Sequence, residues 1–204
     1  MIKNNPRYII FEILYKFFTT KISLKIIIKK YSLKSEDAPF IMNALRGILR
    51  EKKILEENIY LYSKTKKINL KDMILLYLGI YQLLYCNSVP AYAAINTTVD
   101  IAKSINKRSS GFINAILRKI NQQSYKKQKT DPPDIYYGYP KWLINELIST
   151  YNDRAYSICD ANATQSPIWI RINRFKSNLD EILNILSKNK ISFYKDDLLL
   201  NYLK

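Results

Sequence analysis

Apolar residues recur every three or four positions through most of the first 125 residues, the spacing that gathers them on one face of an α-helix. Ile9, Ile13 and Phe17 form one stripe, Phe40, Ala44, Leu45 and Ile48 a second, and Ile74, Leu78, Tyr81 and Tyr85 a third. Ala91, Ile95, Val99 and Ala102 continue with smaller side chains, and Ile113, Ile116, Leu117 and Ile120 close the series. Such stripes usually pack a core, so the pattern predicts an all-α bundle of about six or seven short helices with few strands. Pro6 and Pro90 mark helix starts because proline fits the first turn, and Ser109-Ser110 marks another because serine caps free amides. Gly79, inside its helix, costs about 1 kcal/mol relative to alanine, which predicts a close helix crossing there.

Between Ser124 and Tyr139 the character turns polar and helix-breaking, as a linker requires. Pro140 then opens a helix containing Trp142, Leu143 and Leu147, and a second covers Arg154 to Ala163. Ile168, Ile170 and Ile172 alternate with Trp169, Arg171 and Asn173, the period of a half-buried strand. Asn178 followed by Glu181 resembles a capping box, and Leu179, Ile182, Leu183 and Leu186 form the apolar face of the helix it starts. A short strand around Ile191 to Tyr194 completes a strand-helix-strand tail. The expected organisation is a helical domain over 1–125, a linker over 126–139, and an incomplete α/β segment over 140–204, whose strand-helix-strand tail is too small to be stable alone.

The formal charge of +16 and pI near 9.7 favour a polyanion such as nucleic acid or an anionic membrane face. Lysine, isoleucine, asparagine and tyrosine are abundant throughout and arginine is the rarer cation, the mark of an AT-rich genome, so charge alone decides little. With no histidine, His-dependent metal sites and Ser-His or Cys-His catalysis are excluded. Cys86 and Cys159 imply no disulfide framework. The four glycines form no phosphate-cradling loop. Lys3 and Arg7 precede an apolar run broken by Glu12 and Lys16, which does not read as a signal peptide. Met73 to Val99 carries no charge, but Gln82, Asn87, Ser88, Pro90 and Asn96 interrupt it, and Asn87-Ser-Val-Pro90 reads as a turn between helices. The expectation is a cytoplasmic protein without a membrane span.

The segment Leu78 to Lys103, reading LGIYQLLYCNSVPAYAAINTTVDIAK, together with GFINAILRKI from Gly111 to Ile120, resembles the NusB-like domain of the ribosomal RNA small subunit methyltransferase B family. Ala44 to Arg50 (ALRGILR), Tyr139 to Leu143 (YPKWL) and Ile170 to Asn173 (IRIN) reinforce the likeness. The last two resemble the start of that family's methyltransferase region, whereas a free-standing NusB antitermination factor ends after the helical bundle. The sequence departs where the family usually has His at Tyr92 and Tyr139, Glu at Thr97 and Arg at Tyr77. The resemblance implies an RNA-binding NusB-like bundle at the front of a cytosine-C5 methyltransferase. It further implies that the methyl donor S-adenosylmethionine, a glycine-rich cofactor loop, and cysteines in Pro-Cys and Thr-Cys motifs belong to a catalytic part. This chain has none of those motifs: Cys86 follows Tyr85 and Cys159 follows Ile158. No catalytic residue, metal or cofactor is therefore assigned to the chain itself.

Candidate RNA contacts come in groups. Arg46 and Arg50 are four apart and Lys53 is three further on, so all three are expected along one helical face, able to meet successive phosphates. The alternative is a solvated face with Lys53 paired to Glu57. Lys103, Lys107 and Arg108 lead through Ser109-Ser110-Gly111 to Arg118 and Lys119, combining cations with the amides of a helix start. Arg7 is a third candidate, weighed against a structural role, and Lys126, Lys127 and Lys129 add sequence-independent attraction. Surface tyrosines are candidates for stacking on unpaired bases.

Three functional readings stay open. The chain is the RNA-binding front portion of a ribosomal RNA methyltransferase, docking small-subunit ribosomal RNA. Alternatively it is a NusB-like antitermination factor acting on nascent RNA with a ribosomal protein partner. In the third reading it is the product of a split or decayed gene. The DNA downstream of Lys204 separates the first from the rest.

Overall fold

The computed structural model describes residues 4–65, 67–164, 166, 168–173, 175–193 and 202–203. They form two compact units, Met1–Ser149 and Thr150–Lys204.

In the first unit the helices are α1 (Pro6–Thr19), α2 (Leu24–Ile28), α3 (Ala38–Arg50), α4 (Lys52–Tyr62), α5 (Leu70–Tyr85), α6 (Ala91–Ile105) and α7 (Ser110–Gln122). Helix α5 is buried continuously from Asp72 to Gln82 and is surrounded by α1, α3, α4, α6 and α7. It is apolar on every side, which is why it occupies the centre instead of presenting a single stripe. The stripes of the neighbouring helices converge on it: Ile13, Leu45, Ile48, Ile113 and Leu117 are fully buried in one cluster. Tyr85 departs from its predicted stripe. Lying in the last turn of α5, it is 37% exposed.

Helix boundaries follow local chemistry. Asn5 precedes Pro6 and its side chain accepts the Arg7 amide at 2.9 Å. Asn69 does the same for the Asp72 amide at the head of α5. The crossing predicted at Gly79 is present, since an added Cβ there would lie 2.7 Å from the Leu117 methyls. A second crossing occurs at Gly47, where the Tyr81 ring fills the space a Cβ would need. Among the described residues no helix is long and apolar enough to cross a membrane.

The polar segment after α7 is tied down. Buried Asn58 of α4 bonds both the N–H and the C=O of Tyr125. The Tyr62 hydroxyl donates to the Gln123 carbonyl. Short helix α8 (Pro133–Tyr136) lies against α4, with buried Asp134 3.6 Å from Lys53. Gly138 takes a left-handed φ of +73°, and its Cα faces the Arg50 carbonyl so closely that a Cβ would sit 2.8 Å from the oxygen. Helix α9 (Lys141–Tyr151) follows, with Ile144 buried and Trp142 exposed.

The second unit holds α10 (Arg154–Ala163), β1 (Ile170–Arg171), α11 (Leu179–Lys188) and β2 (Tyr202–Leu203). The strands pair antiparallel, Ile170 opposite Leu203 and Arg171 opposite Tyr202. Asn178 caps α11 by accepting the Glu181 amide at 2.8 Å, while Glu181 turns back to the Ser177 hydroxyl at 2.7 Å. Leu186 and Ile172 are buried together, packed by Leu179, Ile182, Leu183 and Phe193. Two strand expectations need correction. The alternating run is a strand only at Ile170–Arg171, and Ile168 is 83% exposed, because alternation buries a face only where something covers it. Residues 191–193 are not a strand, Tyr194 lies outside the described residues, and the partner of β1 is instead Tyr202–Leu203.

Candidate nucleic-acid interface

Arg46 and Arg50 are both exposed on α3, one helical turn apart, as their spacing predicts. Lys53 does not extend their row. Helix α3 ends at Arg50, Glu51 adopts φ −92° and ψ 11°, and a new helix begins at Lys52, so Lys53 belongs to α4. There it pairs with Asp134 of α8, and not with Glu57.

At this junction Glu51 holds three partners. One carboxylate oxygen accepts the Arg50 Nε–H at 3.0 Å; the other accepts the Tyr85 hydroxyl at 3.4 Å and the Lys127 ammonium at 3.5 Å. The Glu51 side chain is 12% exposed while that of Arg50 is 70% exposed. The ammonium of Lys127 also lies 5.8 Å from the centre of the Tyr136 ring. Arg50, Lys127 and Tyr85 are thus fixed around one carboxylate, a grouping that the sequence spacing of 50, 85 and 127 gives no means of detecting. Burial, reinforced by the charge of Glu51, pushes the Tyr85 phenol above its ordinary pKa. It stays a neutral donor.

The second predicted group divides in two. Lys103, Lys107 and Arg108 are exposed around the end of α6 and the 3-10 turn Lys107–Ser109. Arg118 and Lys119 are exposed too, but Arg118 stands eight residues beyond Ser110, a rise of about 12 Å along α7. Of the amides expected to join these cations in cradling a phosphate, those of Ser109 and Ser110 are already used, as is that of Arg108. The Arg108 N–H donates to the Asn106 side chain at 3.2 Å, the Ser109 N–H to the Asn106 carbonyl at 3.2 Å, and the Ser110 N–H to the Lys107 carbonyl. Ser109 and Ser110 do not cap. Their hydroxyls donate to the carbonyls of Asn106 and Lys107. What remains is a set of cations, of which Lys103 is paired with Asp100 at 3.0 Å in an exposed and therefore weak ion pair. Arg118 donates from Nε to Asn114 at 3.2 Å.

Arg7 is structural. Its Nε donates to buried Gln82 at 2.5 Å, and its guanidinium lies 5.2 Å from the centre of the Phe40 ring. Burial lowers its pKa, the mark of a cation partly withdrawn from water. Lys126, Lys127 and Lys129 are exposed.

Cys86 is half-buried at the end of α5 and Cys159 is buried in α10, and burial pushes both thiols up, which disfavours the thiolate a nucleophile needs. The glycines stand apart at 47, 79, 111 and 138, and two of them lie beneath the side chains of Tyr81 and Leu117.

Residues 4–122 match the NusB family, and residues 139–201 match the Methyltr_RsmF/B-like, ferredoxin-like domain. The chain is 35% identical over 137 residues to ribosomal RNA small subunit methyltransferase B of Proteus mirabilis, covering 65% of this chain and 32% of that one. It is 31% identical over 167 residues to the protein of the same name from Photorhabdus laumondii, covering 78% of this chain and 38% of that one. It therefore spans about a third of the length of these relatives. Among solved structures, the crystal structure of PH0851 shares the fold with a TM-score of 0.61 at 16% identity, covering 98% of this chain and 48% of that one. With a matched helical unit that takes in α1 to α7, the chain belongs to the NusB family and continues into an RsmF/B-type ferredoxin-like domain.

Proposed function

We propose that the chain is an RNA-binding unit, the front portion of a ribosomal RNA cytosine-C5 methyltransferase, which docks small-subunit ribosomal RNA in the cytoplasm. The observation that carries this reading is the exposed cation set on the NusB-family unit: Arg46 and Arg50 on α3, Lys127 beside them, and Lys103, Lys107, Arg108, Arg118 and Lys119 around α6 and α7. Phosphates displace counterions from such a set, so affinity follows charge and salt. The methyl-transfer step and its S-adenosylmethionine belong, in this reading, to residues other than these. The ferredoxin-like match over 139–201 favours it over an antitermination factor acting with a ribosomal protein on nascent RNA.

The test is binding of the purified chain to a small-subunit ribosomal RNA fragment across a salt series. Log affinity is expected to fall linearly with log salt. The combined variant Arg46→Glu, Arg50→Glu, Arg118→Glu is expected to bind about tenfold or more weakly, with a shallower slope. Affinity unchanged by those reversals removes the proposed surface. Recovery of transcription elongation components, in place of ribosomal RNA, returns the antitermination reading.

A further inference from the structure

Tyr85 falls within the apolar stripe of α5 yet stands at the surface, and its surroundings explain what that placement can serve. Its ring stacks on Tyr81, with centroids 5.2 Å apart and planes at 25°. Tyr81 is itself buried and lodged over Gly47, where no other residue would leave room for it. One face of Tyr85 is therefore backed by a fixed ring, and the bond from its hydroxyl to Glu51 fixes its tilt. The same carboxylate holds Arg50 on one side and Lys127 on the other. Arg50 donates only its Nε–H to Glu51, leaving the rest of a five-donor guanidinium for another anion. Two cations against one carboxylate leave the group positive.

We infer that Tyr85, backed by Tyr81 and flanked by Arg50 and Lys127, is a stacking site for one base of unpaired RNA, with the two cations on the adjoining phosphates. This rests on the RNA-binding reading and narrows it to single strands. An aromatic face can accept any unstacked base, whereas a duplex keeps its base faces covered and can offer this patch phosphates only. The flanking groups are cations, which suit a phosphate backbone and not an apolar peptide.

The test compares an unstructured oligoribonucleotide with a blunt RNA duplex of equal phosphate count, using the full 204-residue chain. Tyr85→Leu is expected to weaken single-strand binding about 5- to 150-fold, the range for losing one stacked base. It leaves the duplex within about twofold and leaves the salt slope unaltered, since stacking releases no counterions. Tyr85→Phe keeps the ring and stays within about threefold of the parent, which separates loss of stacking from loss of fold. Arg50→Gln with Lys127→Gln does the reverse, reducing the slope by about 0.7 for each phosphate that is no longer neutralised. An oligonucleotide carrying 2-aminopurine is quenched by the parent and not by Tyr85→Leu. Equal weakening of single strand and duplex, or a Tyr85→Leu variant that binds the single strand like the parent, overturns the stacking site while RNA binding stands. A parent chain that binds neither RNA, or that prefers an apolar peptide, overturns both.

Discussion

The side chain of Asn58 grips the backbone of Tyr125, accepting its N–H at 2.8 Å and donating to its C=O at 3.1 Å, across 67 residues of sequence. Asn58 is fully buried on α4, and its Nδ2 also donates to the Ile54 carbonyl at 2.9 Å. The amide thereby imitates the edge of a strand and ends the helical bundle at a defined point. Leaving both backbone groups of Tyr125 without a partner carries a desolvation cost, so Asn58→Ala is expected to destabilise the chain by about 1–3 kcal/mol. Urea unfolding measures the loss. Hydrogen exchange locates it, because the Tyr125 amide should lose its protection while the amides of α5 keep theirs. An unchanged Tyr125 amide would show that the clasp does not hold in solution.

Gly47 and Tyr81 form the next testable pair. The ring occupies the position of a Gly47 side chain, and α3 and α5 approach each other at that point. Gly47→Ala must push the ring aside, and overpacking of this kind costs about 1–3 kcal/mol even though alanine is the better helix former. In a Tyr81→Leu background the methyl finds room, so the penalty of Gly47→Ala should shrink there. A double-mutant cycle of unfolding free energies measures that coupling, and strictly additive effects would rule out the packing of one against the other.

Much of this fold is legible in periodicity. The starts at Pro6 and Ser110, the span Arg154–Ala163, the cap at Asn178 and the crossing at Gly79 all fall where the residues place them. Local pattern succeeds there because each feature is decided within a few residues. The break between α3 and α4 is illegible for the opposite reason. Arg50-Glu51-Lys52 contains no glycine, proline or capping serine to mark the break at Glu51, so spacing alone puts Lys53 on the wrong helix. Periodicity likewise assigns Tyr85 to the core, because a stripe does not reveal where the neighbouring helices stop covering it. The candidate site suffers most from this. Arg46 and Arg50 are visible as a pair, but the Glu51 carboxylate that gathers Arg50, Tyr85 and Lys127 joins positions far apart in sequence.

Of the tyrosines whose pKa the fold raises, Tyr77 and Tyr85 are the most shifted, and they are expected to make stability depend on alkaline pH. Tyr77, buried in α5, donates its hydroxyl to Glu56 at 2.8 Å, and Glu56 is held in turn by Lys52 at 2.7 Å. Burial and then the Glu56 carboxylate raise the Tyr77 pKa well above its ordinary value, and burial followed by Glu51 does the same for Tyr85. In the unfolded chain both titrate near pH 10. Between that value and the higher folded pKa values the folded state keeps protons that the unfolded state has released. The sign of the linkage is therefore negative: stability is at its full value below about pH 10 and declines as pH rises through the window above it. Unfolding midpoints measured from about pH 8 to about pH 11.5 should fall toward the alkaline end. Tyr77→Phe should be less stable near pH 8, since Glu56 loses a donor, yet should fall less steeply above about pH 10. Parallel curves for the two proteins would show that Tyr77 is not the group responsible, and an ultraviolet titration completing near pH 10 would deny the shift itself.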